Sequence, residues 1–249
     1  MSKWPHLPKA PITEALIDIR VQLPAGSDMN RMSRFRDDVR ADYPNCRERR
    51  QCCSLLMFTR GEPPRMETGP AAPDGYLLAS MDNVQVVQAR LDGFTFSRMR
   101  PYENWQHLRD SARGLWELYR EAAGPLTITR VAVRYINRIE LPLSATDLLG
   151  RWVSTAPRIA PGLPQRLTRF FMKLSIPFES PPGFVNVTEA IEPGEHADCV
   201  PVIFDIDAFL PGAFRPDDEA LWRRFEDLRE IKNDVFFRSI PAEVVEWFQ

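Results

Sequence analysis

Lysine is scarce in this 249-residue chain: Lys3, Lys9, Lys173 and Lys232 stand against 28 arginines. None of the four lies in a glycine-rich run, so a phosphate loop of the Gly-x-x-x-x-Gly-Lys-Ser/Thr type has no sequence support. Gly-x-Gly-x-x-Gly, Gly-x-Ser-x-Gly and His-Glu-x-x-His are also missing, and with them the usual signs of a dinucleotide cradle, a hydrolase elbow or a zinc-protease helix. Only three histidines occur, His6, His107 and His196, and none has a candidate nucleophile beside it in sequence. The cysteines are Cys46, the adjacent Cys52 and Cys53, and Cys199. Without a Cys-x-x-Cys or a neighbouring histidine they suit neither a zinc site nor a disulfide framework, and reduced structural thiols are expected. No window approaches the ~18 apolar residues of a membrane span, and the first residues hold no apolar signal-peptide run. These absences predict a soluble, cytoplasmic protein with no membrane partner. A net charge of -2 and a pI near 6.0 supply no global positive field for nucleic acid, so such binding would need a local patch.

The remaining composition is that of a globular protein with material for a large core, 44% hydrophobic and 27% charged. Its most informative stretch is Thr127 to Leu141, closed by Pro142. Strand side chains alternate with a period of two, so Val131, Val133, Tyr135, Ile139 and Leu141 face one way and Arg130, Arg134, Arg138 and Glu140 the other. At roughly 3.3 Å of rise per residue, successive arginine Cα atoms lie about 13 Å apart, a row along one face. Ala15, Ile17, Ile19, Val21 and Leu23 give an earlier strand the same two faces, opposite Glu14, Asp18, Arg20 and Gln22.

Taken in order, residues 1–10 carry Pro5 and Pro8 and read as a loose arm, although Trp4 could tuck against the body. The first strand follows, then a helix capped by Ser27 or Asp28 with Met29, Met32, Phe35 or Arg36, Val39 and Tyr43 at helical spacing. Arg31 to Arg60 holds eight arginines against four acids, which fits a solvated helix face or, more sharply, an anionic partner. Leu55 to Thr59 reads as a strand and Gly61 to Asp74 as a Pro/Gly-rich loop. Tyr76–Ser80, Val84–Leu91 and Phe94–Met99 form a meander, with Asp92-Gly93 as a hairpin turn. A helix then carries Trp105, Leu108, Ala112, Leu115 or Trp116, Tyr119 and Ala122, ending at Gly124-Pro125.

After Pro142 the expected elements are a short helix, capped by Ser144 or Thr146, running through Leu148, Leu149, Trp152 and Val153. A proline-rich bridge, Pro157 to Pro164, and strands at Arg166–Glu179, Phe184–Ile191 and Val200–Phe209 follow. Pro201 argues that the last strand starts late or lies at an edge. Asp217-Asp218 would cap a final helix with Leu221, Trp222, Phe225, Leu228 and Ile231. The expected class is α+β: a largely antiparallel sheet with helices on one side, built from a possible duplicated strand, helix, three strands, helix unit over 11–125 and 126–249, packed as one body. In that case the two opening strands occupy equivalent central positions.

The run Phe94-x-Phe96-Ser97-Arg98, Pro101-Tyr102-x-x-Trp105, Tyr119, Pro125 and Thr129-Arg130-Val131-Ala132-Val133-Arg134-Tyr135-Ile136-Asn137-Arg138-Ile139 resembles the TIGR04255 family of sporadically distributed bacterial proteins. Pro11-Ile12-Thr13-Glu14-Ala15 and Phe204-Asp205-Ile206-Asp207 are similar too, so the likeness spans most of the chain. Its most specific part is Arg134 to Arg138. Where the family has an Ile-Thr pair near the C-terminus, this chain has Ile240-Pro241. The resemblance implies no established activity, fold or catalytic residue. A sporadic distribution is compatible with mobile loci of the defence or toxin-antitoxin kind.

Candidate binding residues are Arg130, Arg134, Arg138 and Asn137. The arginines can meet Glu14, Asp18, Asp205 and Asp207 across neighbouring strands as a charged ladder, or leave an open anion-binding surface. Asn137, polar on an apolar face, either satisfies backbone at an irregularity or contacts a ligand. Asp205 and Asp207 are weak metal candidates, because two-metal chemistry needs three or more converging groups. No cofactor or catalytic residue is expected. Three readings follow: a non-enzymatic interaction or regulatory module with a protein partner; an enzyme or binder acting on nucleic acid or nucleotide through the arginine row and paired aspartates; and a small-ligand carrier with a pocket between sheet and helices.

Overall fold

The computed structural model describes residues 3–52, 54–57, 65–142, 149–192 and 199–249, with 54–57 and 65–68 described as backbone only. In chain order its elements are β1 (Ile12–Gln22), α1 (Met29–Val39), β2 (Asn45–Gln51), β3 (Ser54–Met57), β4 (Arg65–Thr68), β5 (Ala72–Ala79), β6 (Gln85–Arg90) and β7 (Gly93–Met99). They continue with α2 (Trp105–Ala123), β8 (Thr127–Pro142), β9 (Phe171–Glu179), β10 (Pro182–Ile191), β11 (Cys199–Phe214), α3 (Leu221–Ser239) and α4 (Ala242–Val245). Nine strands form one antiparallel sheet in the order β2-β5-β6-β7-β1-β8-β11-β10-β9, and β3 pairs with β4 alone. The fold is α+β, as the alternating patterns imply.

β1 and β8 pair with each other at the centre, Ile17 opposite Val133 and Ile19 opposite Val131. Outward from β1 the strands run β7, β6, β5; outward from β8 they run β11, β10, β9. A long helix follows the innermost late strand on each side, α2 after β7 and α3 after β11. The two opening strands therefore hold matching positions. The second series departs from the first after its opening strand. Positions 143–148 of the expected short helix lie outside the described residues, and Leu149–Arg151 forms a single 3-10 turn.

The odd-numbered side chains of both central strands are buried under the helices: Ala15, Ile17, Ile19, Val131, Val133, Tyr135 and Ile139 are at most 2% exposed. Against them α2 turns Leu108, Ala112, Leu115, Trp116 and Tyr119, and α3 turns Leu221, Phe225, Leu228 and Phe236. Each large apolar side chain so buried contributes roughly 1.5–3 kcal/mol. α1 and α2 start where a side-chain oxygen replaces a missing helical acceptor, from Asp28 to Asn30 N and from Asn104 to His107 N. α2 ends because Gly124 takes a left-handed conformation, φ 59°.

Several expectations are corrected. Part of the Gly61 to Asp74 loop is strand: β4 pairs with β3, Met66 opposite Leu56, and β5 begins at Ala72. β11 starts at Cys199 and is an interior strand between β8 and β10. Pro201 is tolerated because its carbonyl accepts from Glu192 N just past the end of β10, where the missing donor breaks no ladder bond. β9 begins at Phe171, five residues late. Asp218 caps the turn before α3, accepting from Ala220 N, while the helix itself starts at Leu221. The N-terminal arm is tied down. Trp4 stacks on Phe237 with centroids 4.7 Å apart, its Nε1 donates to Asp234 at 2.6 Å, and Lys9 N donates to Phe248 O.

Candidate functional site

The strand register decides the fate of the arginine row. β11 sets Asp207 opposite Arg134 and Asp205 opposite Ile136, so Arg134 reaches Asp205 diagonally and Arg130 reaches further along the strand to Asp207. Arg134 donates to both oxygens of Asp205 at 2.8 and 2.6 Å, and Arg130 to both oxygens of Asp207 at 2.8 and 2.7 Å and to Asp18 at 3.1 Å. Arg130 also lies over the Phe209 ring at 4.3 Å. Arg138 pairs with Glu140 and reaches Glu192 at 3.8 Å. The row is thus a charged ladder that neutralises itself. Asp205 and Asp207 have no oxygen left free of a guanidinium, and no metal-holding group of three His, Cys, Asp or Glu side chains exists among the described residues.

Asp18 sits at the head of this ladder, 6% exposed, with Arg90 Nη2 at 2.9 Å and the Thr95 hydroxyl at 2.7 Å. Burial alone would raise its pKa. The charges of Arg90 and Arg20, with the bonds from Thr95 and Arg90, outweigh burial and hold it below the ordinary carboxylate value. Of the basic window, Arg31 donates to Ala123 O at the end of α2, and Arg34, Arg36 and Arg49 pair with Glu121, Asp37 and Asp74. Positions 53 and 58–60 lie outside the described residues.

A different place is open. Between the apolar face of β8, helices α2 and α3 and the N-terminal arm lies a cavity of about 550 Å³. Trp4, Tyr102, Trp105, Tyr135, Phe236 and Phe237 supply its aromatic walls. Asn137 is in that wall, at the register shift between Ile12 and Glu14 of β1. Its amide nitrogen donates to Phe204 O at 2.9 Å, whereas its side-chain oxygen takes no hydrogen bond among the described residues. The nitrogen thus satisfies backbone at the register shift, and the residue stands in the cavity wall.

Three cations line the cavity, Arg109, Arg229 and Lys232, and Lys232 stands apart from the other two. It is 9% exposed, and its Nζ sits 3.8 Å from the centroid of the Tyr135 ring, with no carboxylate of the described residues within ion-pair distance. The other charges of the wall are matched to one another. Glu226 receives Trp105 Nε1 at 2.8 Å and Arg109 at 2.7 Å, and Arg229 lies 3.4 Å from Glu230. Burial, helped by the like charge of Arg229 and opposed by Glu230, lowers the Lys232 pKa from 10.5 to about 7. The Tyr135 ring beneath presents its negative face to the charged form. The Tyr102 and Tyr135 hydroxyls hydrogen-bond at 2.9 Å. Burial pushes Tyr102 up to about 12 and Tyr135 well above its ordinary value, so both stay protonated in the working range.

Sequence reasoning passed over Lys232, yet the signal existed. It continues the Leu221, Phe225, Leu228 spacing by four residues, which places a lysine on the apolar stripe of α3. Tyr102 and Tyr135 gave no such signal, since a buried tyrosine pair is a matter of tertiary contact. Comparison of the chain with protein-family models and with curated proteins returns no match. The resemblance to the TIGR04255 family rests on the sequence segments quoted for it.

Proposed function

We propose that the protein binds a compact small molecule, with an aromatic or apolar body and an acidic or carbonyl head, in the cavity between β8, α2, α3 and the arm. The single observation that carries this reading is Lys232: a buried ammonium with no ion-pair partner among the described residues, facing an aromatic cavity of about 550 Å³. An uncompensated buried charge is destabilising, and an incoming anion supplies the missing partner. Asn137 adds a free carbonyl oxygen for a ligand N–H or O–H. Nucleic-acid chemistry through the arginine row has lost its support, because the guanidiniums and aspartates it needs engage one another. The partner-module reading has weaker support: exposed Phe171 and Ile176 share β9 and Phe184 lies on the adjoining β10, but no charged or buried group there calls for a partner, and Met81, Leu126 and Leu163 lie on other segments.

Calorimetric titration with benzoate and 4-hydroxybenzoate, against neutral benzyl alcohol, tests the reading. The acids should bind with saturation, and Lys232→Met should weaken them by roughly tenfold to a hundredfold, the worth of one charge-assisted hydrogen bond of ~1.5–3 kcal/mol. The acids stay ionised across the range. Affinity should therefore be highest below about pH 7, where the ammonium is charged, and fall as pH rises through that value. Absence of saturable binding by either acid, or an unchanged affinity in Lys232→Met, sinks the proposal.

A further inference from the structure

We propose that Lys232 captures carbonyl compounds covalently, condensing with an aldehyde or ketone group of a small ligand held in this cavity to form a Schiff base. The inference rests on the ligand-binding reading above and names a substrate class and a bond for it. Amine addition to a carbonyl needs a nitrogen that is not locked in an ion pair, lies on a cavity wall, and is free of its proton for part of the time. Among the four lysines, Lys232 alone is placed this way. Lys3 is ion-paired with Asp234 at 2.7 Å, and Lys9 and Lys173 are exposed. The groups facing Lys232 leave it unpaired: the Tyr102 and Tyr135 hydroxyls bond to each other, Glu226 is engaged by Arg109 and Trp105, and Arg229 repels a proton from its own side of α3. The depressed basicity of the amine agrees with this geometry.

The step balances without an oxidant or reductant. The Nζ lone pair forms a bond to the carbonyl carbon, and the carbonyl π pair moves to oxygen. The two protons given up by nitrogen leave with that oxygen as water, and a C=N bond remains.

Incubating the full chain with 4-formylbenzoate and cyanoborohydride at pH 7, followed by peptide mapping, tests the step, because reduction of an imine fixes the ligand on nitrogen. Four lysines make the map easy to resolve. Lys232 should be modified at least tenfold faster than Lys3, Lys9 and Lys173, and the same incubation in urea should erase the preference, showing that the fold creates it. Lys232→Met and Lys232→Arg should lose the fast site while retaining wild-type circular dichroism. Modification of Lys232 no faster than of the exposed lysines overturns the proposal. Benzoate titration on the same sample separates the two readings. Saturable benzoate binding without preferential adduct removes carbonyl capture and leaves ligand binding standing; loss of both removes both.

Discussion

Arg134 shows how one side chain on the sheet's outer face acts as structure. Its guanidinium holds both oxygens of Asp205, a carboxylate only 7% exposed, while its own side chain is 42% exposed. Solvent screens the arginine end of this pair, yet removing it strands a buried acid, and breaking such pairs costs more than forming them gains. Arg134→Ala should therefore lower stability by about 2–3 kcal/mol, read as a reduced urea midpoint with an unchanged m-value. Ligand affinity in the cavity on the opposite face should not move. The odd-numbered neighbours of Arg134, Tyr135 and Asn137, point into that cavity wall. One strand thus uses its even positions to fasten the sheet and its odd positions to shape a pocket, a division set by the period of two.

The strands are held in place by a few backbone positions that tolerate only one kind of residue. Gly75 in β5 lies where the register with β2 shifts between Arg49 and Arg50. A Cβ there would fall 2.1 Å from Ala89 O and 2.8 Å from the Cα of Arg90, both backbone atoms of β6 that cannot rotate away. Gly75→Ala should force β5 and β6 apart and cost about 2–3 kcal/mol, the scale of overpacking in a closed interior, measured by the same urea titration. Displacing Arg90 would also disturb its bonds to Asp18 and Thr95, so near-ultraviolet circular dichroism should change with it. β11 makes the complementary point. Its interior place survives Pro201 because the proline falls beyond the last ladder bond of β10, a fact of alignment between strands that composition alone does not carry.

Across the whole molecule, β1 and β8 are each other's neighbours, so the sheet of the first series is continuous with the sheet of the second. The helices of both series close over one joined core. Calorimetric unfolding should give a single transition with equal van't Hoff and calorimetric enthalpies, and the segments 11–125 and 126–249 expressed separately should not fold, since each loses the partner of its central strand. Two resolved transitions, or a folded isolated segment, would disprove this. The cavity lies on the same seam, with α2 and Tyr102 from one series and β8 and α3 from the other.

How far the sequence reached depended on whether a feature was local. Alternation gave β1 and β8 their buried faces, Asp28, one of two cap candidates, and Gly124 marked helix ends, and Asp92-Gly93 marked a hairpin, because each acts on residues next to it in the chain. The possible ladder between Arg130, Arg134 and the aspartates was legible as a choice between two outcomes, and only the register of β8 against β11 selected one. Lys232 was visible as a lysine on an apolar stripe, but its role required α3, β8, α2 and the arm to meet around it. The linear chain thus determined which side chains turn inward, through periodicity and local backbone preference. The tertiary structure alone decided which inward polar groups found partners and which were left facing a cavity, because pairing is set by distances between segments as far apart in the chain as Trp4 and Asp234, 230 residues.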